Sequence, residues 1–191
     1  RNTKRETGGG DKMKIIMMTG SAHKNGTSAY LAEHFMRGAK EAGHEVSRFD
    51  TAFMDIHPCI GCDHCRRKDG VCVYQDDMNQ INPVLKEADA VVFVSPIYYY
   101  DINAQLKTAI DRFYASNAQI QTPKKAALLL TSGDAEWDVT AGAIGTYKGI
   151  CGYLGWSDAG IIAAGGCSVL EEIKQTEFPQ KAYLLGKNFG A

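Results

Sequence analysis

Apolar residues gather in short continuous runs, separated by longer stretches where they recur every three or four positions. Five runs have strand length: KIIMMTG (14–20), HEVSRFD (44–50), ADAVVFVSP (88–96), KAALLLTSG (125–133) and SDAGIIAAGG (157–166). Four are apolar throughout their centres, as parallel strands covered on both faces require. The second alternates and suits an edge. Between them, residues 27–42 open on Thr27 and Ser28, carry Leu31, Phe35, Gly38 and Ala42 at spacings of three and four, and stop at Gly43. Helices are also predicted over 77–88, over 102–117 (Ile102, Leu106, Ile110 and Phe113 on one face), over 138–154 and over 178–189. Strands alternating with helices predict an α/β fold of three layers: a five-stranded parallel sheet, order 2-1-3-4-5, with helices on both faces.

In such a sheet a ligand binds beyond the carboxyl ends of the strands, where strand order reverses. That singles out the loops following the first, third and fourth runs. The first, TGSAHKNGTSAYL (19–31), is rich in small and hydroxylated residues at a helix start, which suits an anion. Five residues separate Gly20 from Gly26 and Thr27 stands where a Walker A motif has lysine, which argues against a triphosphate loop. G-x-G-x-x-G is absent as well. A monophosphate held by Ser21, His23, Asn25, Thr27 and Ser28 is the remaining ligand, set against an ordinary capped turn.

The second loop ends its strand with Pro96, Ile97, Tyr98, Tyr99 and Tyr100. Three consecutive tyrosines offer faces and hydroxyls to a planar ring, or to a partner surface. In the third, Thr131, Ser132 and Gly133 form a small-residue shelf. A phosphate nest, an aromatic wall and a shelf at one sheet edge suit flavin mononucleotide (FMN).

The chain has 191 residues, 45% of them apolar and 23% charged, with 21 Lys and Arg against 22 Asp and Glu. The resulting net charge of −1 gives no footprint for nucleic acid, and no polybasic run points to a membrane surface. Residues 1–12, RNTKRETGGGDK, read as an N-terminal arm or tag remnant, ahead of one domain over 13–191.

Four of the six cysteines crowd into PCIGCDHCRRKDGVC (58–72) with spacing Cys59-x2-Cys62-x2-Cys65-x6-Cys72. Thiols so placed suit a 4Fe–4S cluster better than zinc, which usually takes two separated knuckles. Arg66, Arg67 and Lys68 beside them equally suit free, redox-reactive or disulfide-forming thiols. Crowded thiols of either kind point to a reducing compartment, hence the cytoplasm. Cys151 and Cys167 lie among apolar or small residues and read as packing.

GSAHKNGTS, PCIGCDHCRRKDGVCVYQDDM, SPIYYYDINAQLKTAIDR and LLLTSGD together resemble the NAD(P)H-dependent FMN reductase and flavodoxin-like oxidoreductase family, including its iron–sulfur flavoproteins. The resemblance runs from Met13 to the end of the fourth strand. It implies a flavodoxin-like fold, FMN as cofactor and NAD(P)H as hydride donor. The acceptor would be a small molecule: a quinone, flavin, nitro compound or metal ion. It also implies a homodimer or higher homo-oligomer closing a shallow flavin site. Phosphate contacts would fall to Ser21, His23, Asn25, Thr27 and Ser28, and ring contacts to Pro96 through Tyr100 and Thr131 through Gly133. His23 departs from the arginine common in the family. Cluster-free reductases and iron–sulfur flavoproteins share the cysteine pattern, so the resemblance leaves open a cluster on Cys59, Cys62, Cys65 and Cys72. An electron carrier and a zinc-dependent module on the same fold are the rival classes.

Overall fold

The computed structural model describes residues 12–190. Apart from Lys12, the arm read over residues 1–12 lies outside the described residues. In chain order the elements are β1 (Lys14–Thr19), α1 (Thr27–Glu41), β2 (Glu45–Asp50), α2 (His64–Arg67), α3 (Met78–Glu87), β3 (Ala90–Tyr98), β4 (Asp101–Ile102), α4 (Ala104–Asp111), α5 (Asn117–Ile120), β5 (Lys125–Thr131), α6 (Ala141–Leu154), β6 (Ser157–Ala164), α7 (Leu170–Lys174) and α8 (Phe178–Lys187).

The parallel strands run β2-β1-β3-β5-β6, the flavodoxin-like order, and β4 adds an antiparallel step to the end of β3. β2 is the edge. The central strands bury both faces because their side chains alternate between two cores. Ile15 and Met17 of β1 point to Leu31 and Phe35 on the α1 side, while Ile16 and Met18 join Leu85, Phe93 and Leu106 on the other.

Two helices depart from the periodicity. The stretch predicted as a helix over 102–117 begins as strand β4, becomes α4, and tightens into a 3-10 turn over Arg112–Ser116 before α5. In that turn the neighbours Arg112 and Phe113 are both buried. The stretch predicted over 138–154 opens as a 3-10 turn before α6. Among the described residues no helix is long and apolar enough to cross a membrane.

Candidate active site

The loops after β1, β3 and β5 meet in one open cavity of about 690 Å³ at the carboxyl edge of the sheet. Ser21, His23, Asn25, Thr27 and Ser28 line it from the first loop, Pro96, Ile97 and Tyr98 from the second, and Thr131, Ser132 and Gly133 from the third. The volume falls within the usual range for small-ligand pockets. α1 begins there with Gly26 at its cap position and no side-chain cap, so its first-turn amides are left to water or a ligand. The loop itself is folded by its own backbone: Gly26 N–H donates to the His23 carbonyl (3.1 Å) and His23 N–H to Ser21 Oγ (3.2 Å).

Side chains distant in sequence tie the loops together. Ser28 Oγ and Thr131 Oγ1 are 2.8 Å apart, linking the start of α1 to the end of β5. Asn103, buried just after β4, donates through Nδ2 to the Gly20 carbonyl, and its backbone N–H donates to Ser95 Oγ at 2.9 Å. Gly20 is required at this crossing, since a Cβ on it would overlap Asn103 Oδ1.

Tyr99 and Tyr100 stand outside the cavity. Tyr98 pairs with Asp101 across the β3–β4 hairpin, so the other two tyrosines form its two-residue turn. Both have positive φ (47° and 67°), as a type I′ turn demands, and both are exposed. One expected tyrosine therefore walls the cavity and two project beside it.

The sequence reading missed the fourth side. Cys167, Ser168 and Val169, between β6 and α7, and Leu170 at the start of α7 also line the cavity. Cys167 is both wall and packing: it is buried, and burial raises its pKa above the ordinary thiol value. The signal was available, since GGCSV (165–169) is another small-residue loop at a strand's carboxyl end.

A second, much smaller cavity of about 20 Å³, room for roughly one water, is lined by all four clustered cysteines together with Tyr74, Arg112 and Tyr114. The intervening chain folds tightly, with positive φ at Gly61, Asp63, Asp69 and Gly70. Arg67 donates to the Cys62 carbonyl at 3.1 Å, and Gly70 N–H to that of Cys65 at 2.9 Å. All six cysteines are free thiols. Among the described residues no three Cys, His, Asp or Glu stand close enough to hold a metal ion. The four thiols face one space without yet forming a ligand cage.

Beneath this loop lies a buried ion pair that the sequence motifs contained without a role. Arg112 and Asp76 keep 2% and 1% of their side chains exposed, with Nη1 2.5 Å from Oδ2 and Nη2 3.1 Å from Oδ1. Burial pushes the Asp76 carboxyl up, but the Arg112 hydrogen bonds and the N–H groups of His57 and Met78 outweigh it and hold the pKa below the ordinary value. For Arg112, burial pulls down while Asp76 and then the Cys72 sulfur pull up, and the guanidinium stays charged.

NADPH-dependent FMN reductases match this chain over residues 13–141. The chain belongs to that family, a class of flavin oxidoreductases, and the match ends just past β5, where the sequence resemblance also thinned. An iron–sulfur flavoprotein of Archaeoglobus fulgidus is 36% identical over 100 residues, 52% of this chain and 45% of that protein. One from Methanocaldococcus jannaschii is 35% identical over 100 residues, 52% of this chain and 51% of that protein. The chain thus spans about half the length of these curated relatives. Among solved structures, an NAD(P)H:quinone oxidoreductase from Methanothermobacter marburgensis superposes with TM-score 0.72 at 19% identity, covering 95% of this chain and 98% of that one. An FMN-dependent NADH-azoreductase from Bacillus anthracis, in complex with FMN, gives TM-score 0.65 at 14% identity, covering 93% and 99%. At such identities the likeness is one of fold.

Proposed function

We propose that this protein is an FMN-dependent oxidoreductase of the cytoplasm that takes hydride from NAD(P)H and reduces a small acceptor such as a quinone, flavin, nitro compound or metal ion. The observation that carries the reading is the convergence of the β1, β3 and β5 loops on one cavity of about 690 Å³ beside the uncapped start of α1. The amides of that first turn, with Asn25, Thr27 and Ser28, receive the phosphate, where the helix dipole favours negative charge. His23 adds the neighbouring imidazole. Pro96, Ile97 and Tyr98 from one loop and Thr131, Ser132 and Gly133 from another would hold the ring and exclude water from it. Bound FMN supplies the redox chemistry, accepting hydride and passing the electrons on. The chain's own work is to bind and orient, so no acid or base residue is assigned. A second copy of the chain closes the open side.

Adding FMN to the apoprotein and following NADPH and NADH oxidation with a quinone acceptor tests the reading. Stoichiometric uptake with acceptor-dependent turnover is expected; a protein that takes up no FMN overturns it.

One observation favours the alternative reading, an iron–sulfur flavoprotein acting as an electron-transfer protein. Cys59, Cys62, Cys65 and Cys72 line the same small cavity, which is the all-thiol donor set of a 4Fe–4S cluster. These four residues would hold it once the loop opens around it, and the cluster would carry electrons one at a time. Protein purified without air should then contain about four irons per chain, the number in the cluster, with matching acid-labile sulfide. A flavin spectrum without iron, unchanged by iron and sulfide reconstitution, excludes it.

A further inference from the structure

The cysteine segment borders two cavities, and Cys65 stands on both. On one side it shares the space of about 20 Å³ with Cys59, Cys62 and Cys72. On the other it opens onto a cavity of about 600 Å³, walled by Arg66 and Asp69 of the same segment and by Asn117, Gln119 and Gln121 from α5 and the residue after it. This larger cavity shares no lining residue with the proposed flavin site.

Its wall combines opposite charges with amides. Arg66 lies beside Tyr114 and Asp63, which hold its pKa above the ordinary value, so it stays charged. Asn117 donates through Nδ2 to the Tyr153 hydroxyl at 2.9 Å, which leaves its carbonyl oxygen to accept. A cation, a carboxylate and amide oxygens on one wall suit an amino-acid zwitterion followed by peptide bonds. The thiols supply the chemistry. All are free, with Cys59 and Cys62 exposed and Cys65 and Cys72 half-buried. Among the described residues no three donors form a metal cage, but thiol–disulfide exchange needs only two protein sulfurs.

We propose that the larger cavity receives a small peptide disulfide with an amino-acid terminus and presents it to Cys65. Arg66 meets the ligand's carboxylate and Asp69 its ammonium. The Cys65 thiolate attacks one sulfur of the ligand, forming a mixed disulfide as the ligand's own S–S bond breaks and one ligand thiol leaves. A second thiol of the small cavity then attacks the Cys65 sulfur, closing a disulfide within the chain and releasing the other ligand thiol. The two protein thiols give up two electrons and the ligand disulfide takes them; the two thiol protons leave with the two products. The proposal stands apart from the cluster reading and concerns the segment when its thiols hold no iron.

The test uses the full chain loaded with FMN, its iron assayed first, with oxidised glutathione as the probe in the absence of air. Alkylation and peptide mapping at successive times are expected to show a mixed disulfide first at Cys65. A disulfide from Cys65 to Cys59, Cys62 or Cys72 should follow, with both glutathione halves free as thiol. Cys65→Ser should lose both products. Cystamine, a disulfide without carboxylates, separates docking from bare reactivity. The glutathione-to-cystamine rate ratio should fall by roughly tenfold in Arg66→Gln, as for one lost charged contact. First modification at Cys59 or Cys62, a mixed disulfide that persists, or an unchanged ratio in Arg66→Gln overturns the proposal. So does a segment whose thiols hold iron and stay unreactive, a result that supports the cluster reading instead. If Cys65→Ser does not fold, the exposed substitution Arg66→Gln decides through the rate ratio.

Discussion

Ser28 Oγ and Thr131 Oγ1 lie 2.8 Å apart across 103 positions of sequence, joining the first turn of α1 to the last residue of β5. The bond sets the distance between the loop proposed for the phosphate and the loop proposed for the ring. Thr131→Val keeps the shape and removes one partner. It is expected to cost about 1–2 kcal/mol in urea unfolding, the usual cost of a buried hydroxyl left unpaired. FMN affinity should fall by roughly tenfold, if a similar energy is lost in binding. Unchanged affinity, measured by fluorescence titration, would mean the two loops are held in register by other contacts.

Asn103 does the same for the first and second loops. Its Nδ2 donor on the Gly20 carbonyl and its N–H on Ser95 Oγ are both buried. Asn103→Ala leaves the carbonyl without that donor and opens space against Gly20. A loss of about 2–3 kcal/mol is expected, with a larger fall in FMN affinity than in any exposed variant of the same loop, such as Ala22→Ser. Equal affinities in the two variants would remove Asn103 from the binding architecture.

His23 stands in the cavity wall with its imidazole exposed. Arginine brings a permanent charge and a bidentate fork suited to a phosphate, which a histidine at this position does not supply. His23→Arg is therefore expected to tighten FMN binding by roughly tenfold, the equivalent of about 1.4 kcal/mol for one charge-assisted contact. Equal affinities in fluorescence titration would remove position 23 from the phosphate site.

Much of this architecture was legible because it rests on local signals. Continuous apolar runs mark strands buried on two faces, and the alternating HEVSRFD run took the edge position as its pattern asked. Ser21 through Ser28 and Thr131 through Gly133 reached the cavity because a parallel sheet carries every βα loop to one edge. What stayed hidden depends on tertiary register. Three tyrosines in a row gave no sign that β3 would turn back on itself after the first, taking Tyr99 and Tyr100 out of the cavity wall. Cys167 looked like packing because it is packing, and it is also a wall. Asp76 and Arg112 were in plain view within DDM and IDR, but a buried ion pair across 36 positions has no spacing to announce it.

That ion pair makes an energetic prediction separate from any cluster. Asp76→Asn leaves the Arg112 charge buried without its counter-ion, and removing one partner of such a pair costs about 3–5 kcal/mol. The pH dependence follows from the direction of the Asp76 shift. Its folded pKa is depressed, so its contribution is complete above the ordinary carboxylate value, about 4, and is lost as pH falls through the folded value. Urea unfolding of wild type and Asp76→Asn should thus differ most at pH 5 and above, with the gap narrowing below pH 4. A gap that is constant down to pH 3 would place the stabilisation in packing.

The β3–β4 turn sets stability against use. Bulky residues pay roughly 1–2 kcal/mol each for a left-handed backbone, and Tyr99 and Tyr100 both adopt one, where Asn-Gly would fit without strain. The turn is held from below: Thr146 of α6 donates to Asp101 Oδ2 at 3.0 Å, and Gly142 passes so close that a Cβ would strike the Tyr100 carbonyl. Strain kept at the rim of a site is most simply explained by what the exposed side chains contact. Tyr99→Asn with Tyr100→Gly is expected to raise unfolding stability by about 1–2 kcal/mol while lowering either acceptor turnover or self-association. Sedimentation and steady-state kinetics on the same samples separate the two. Loss of self-association first places the tyrosines against a second copy of the chain; loss of turnover with self-association unchanged places them against NAD(P)H or the acceptor. A more stable variant with both properties intact would show that the two rings bind nothing.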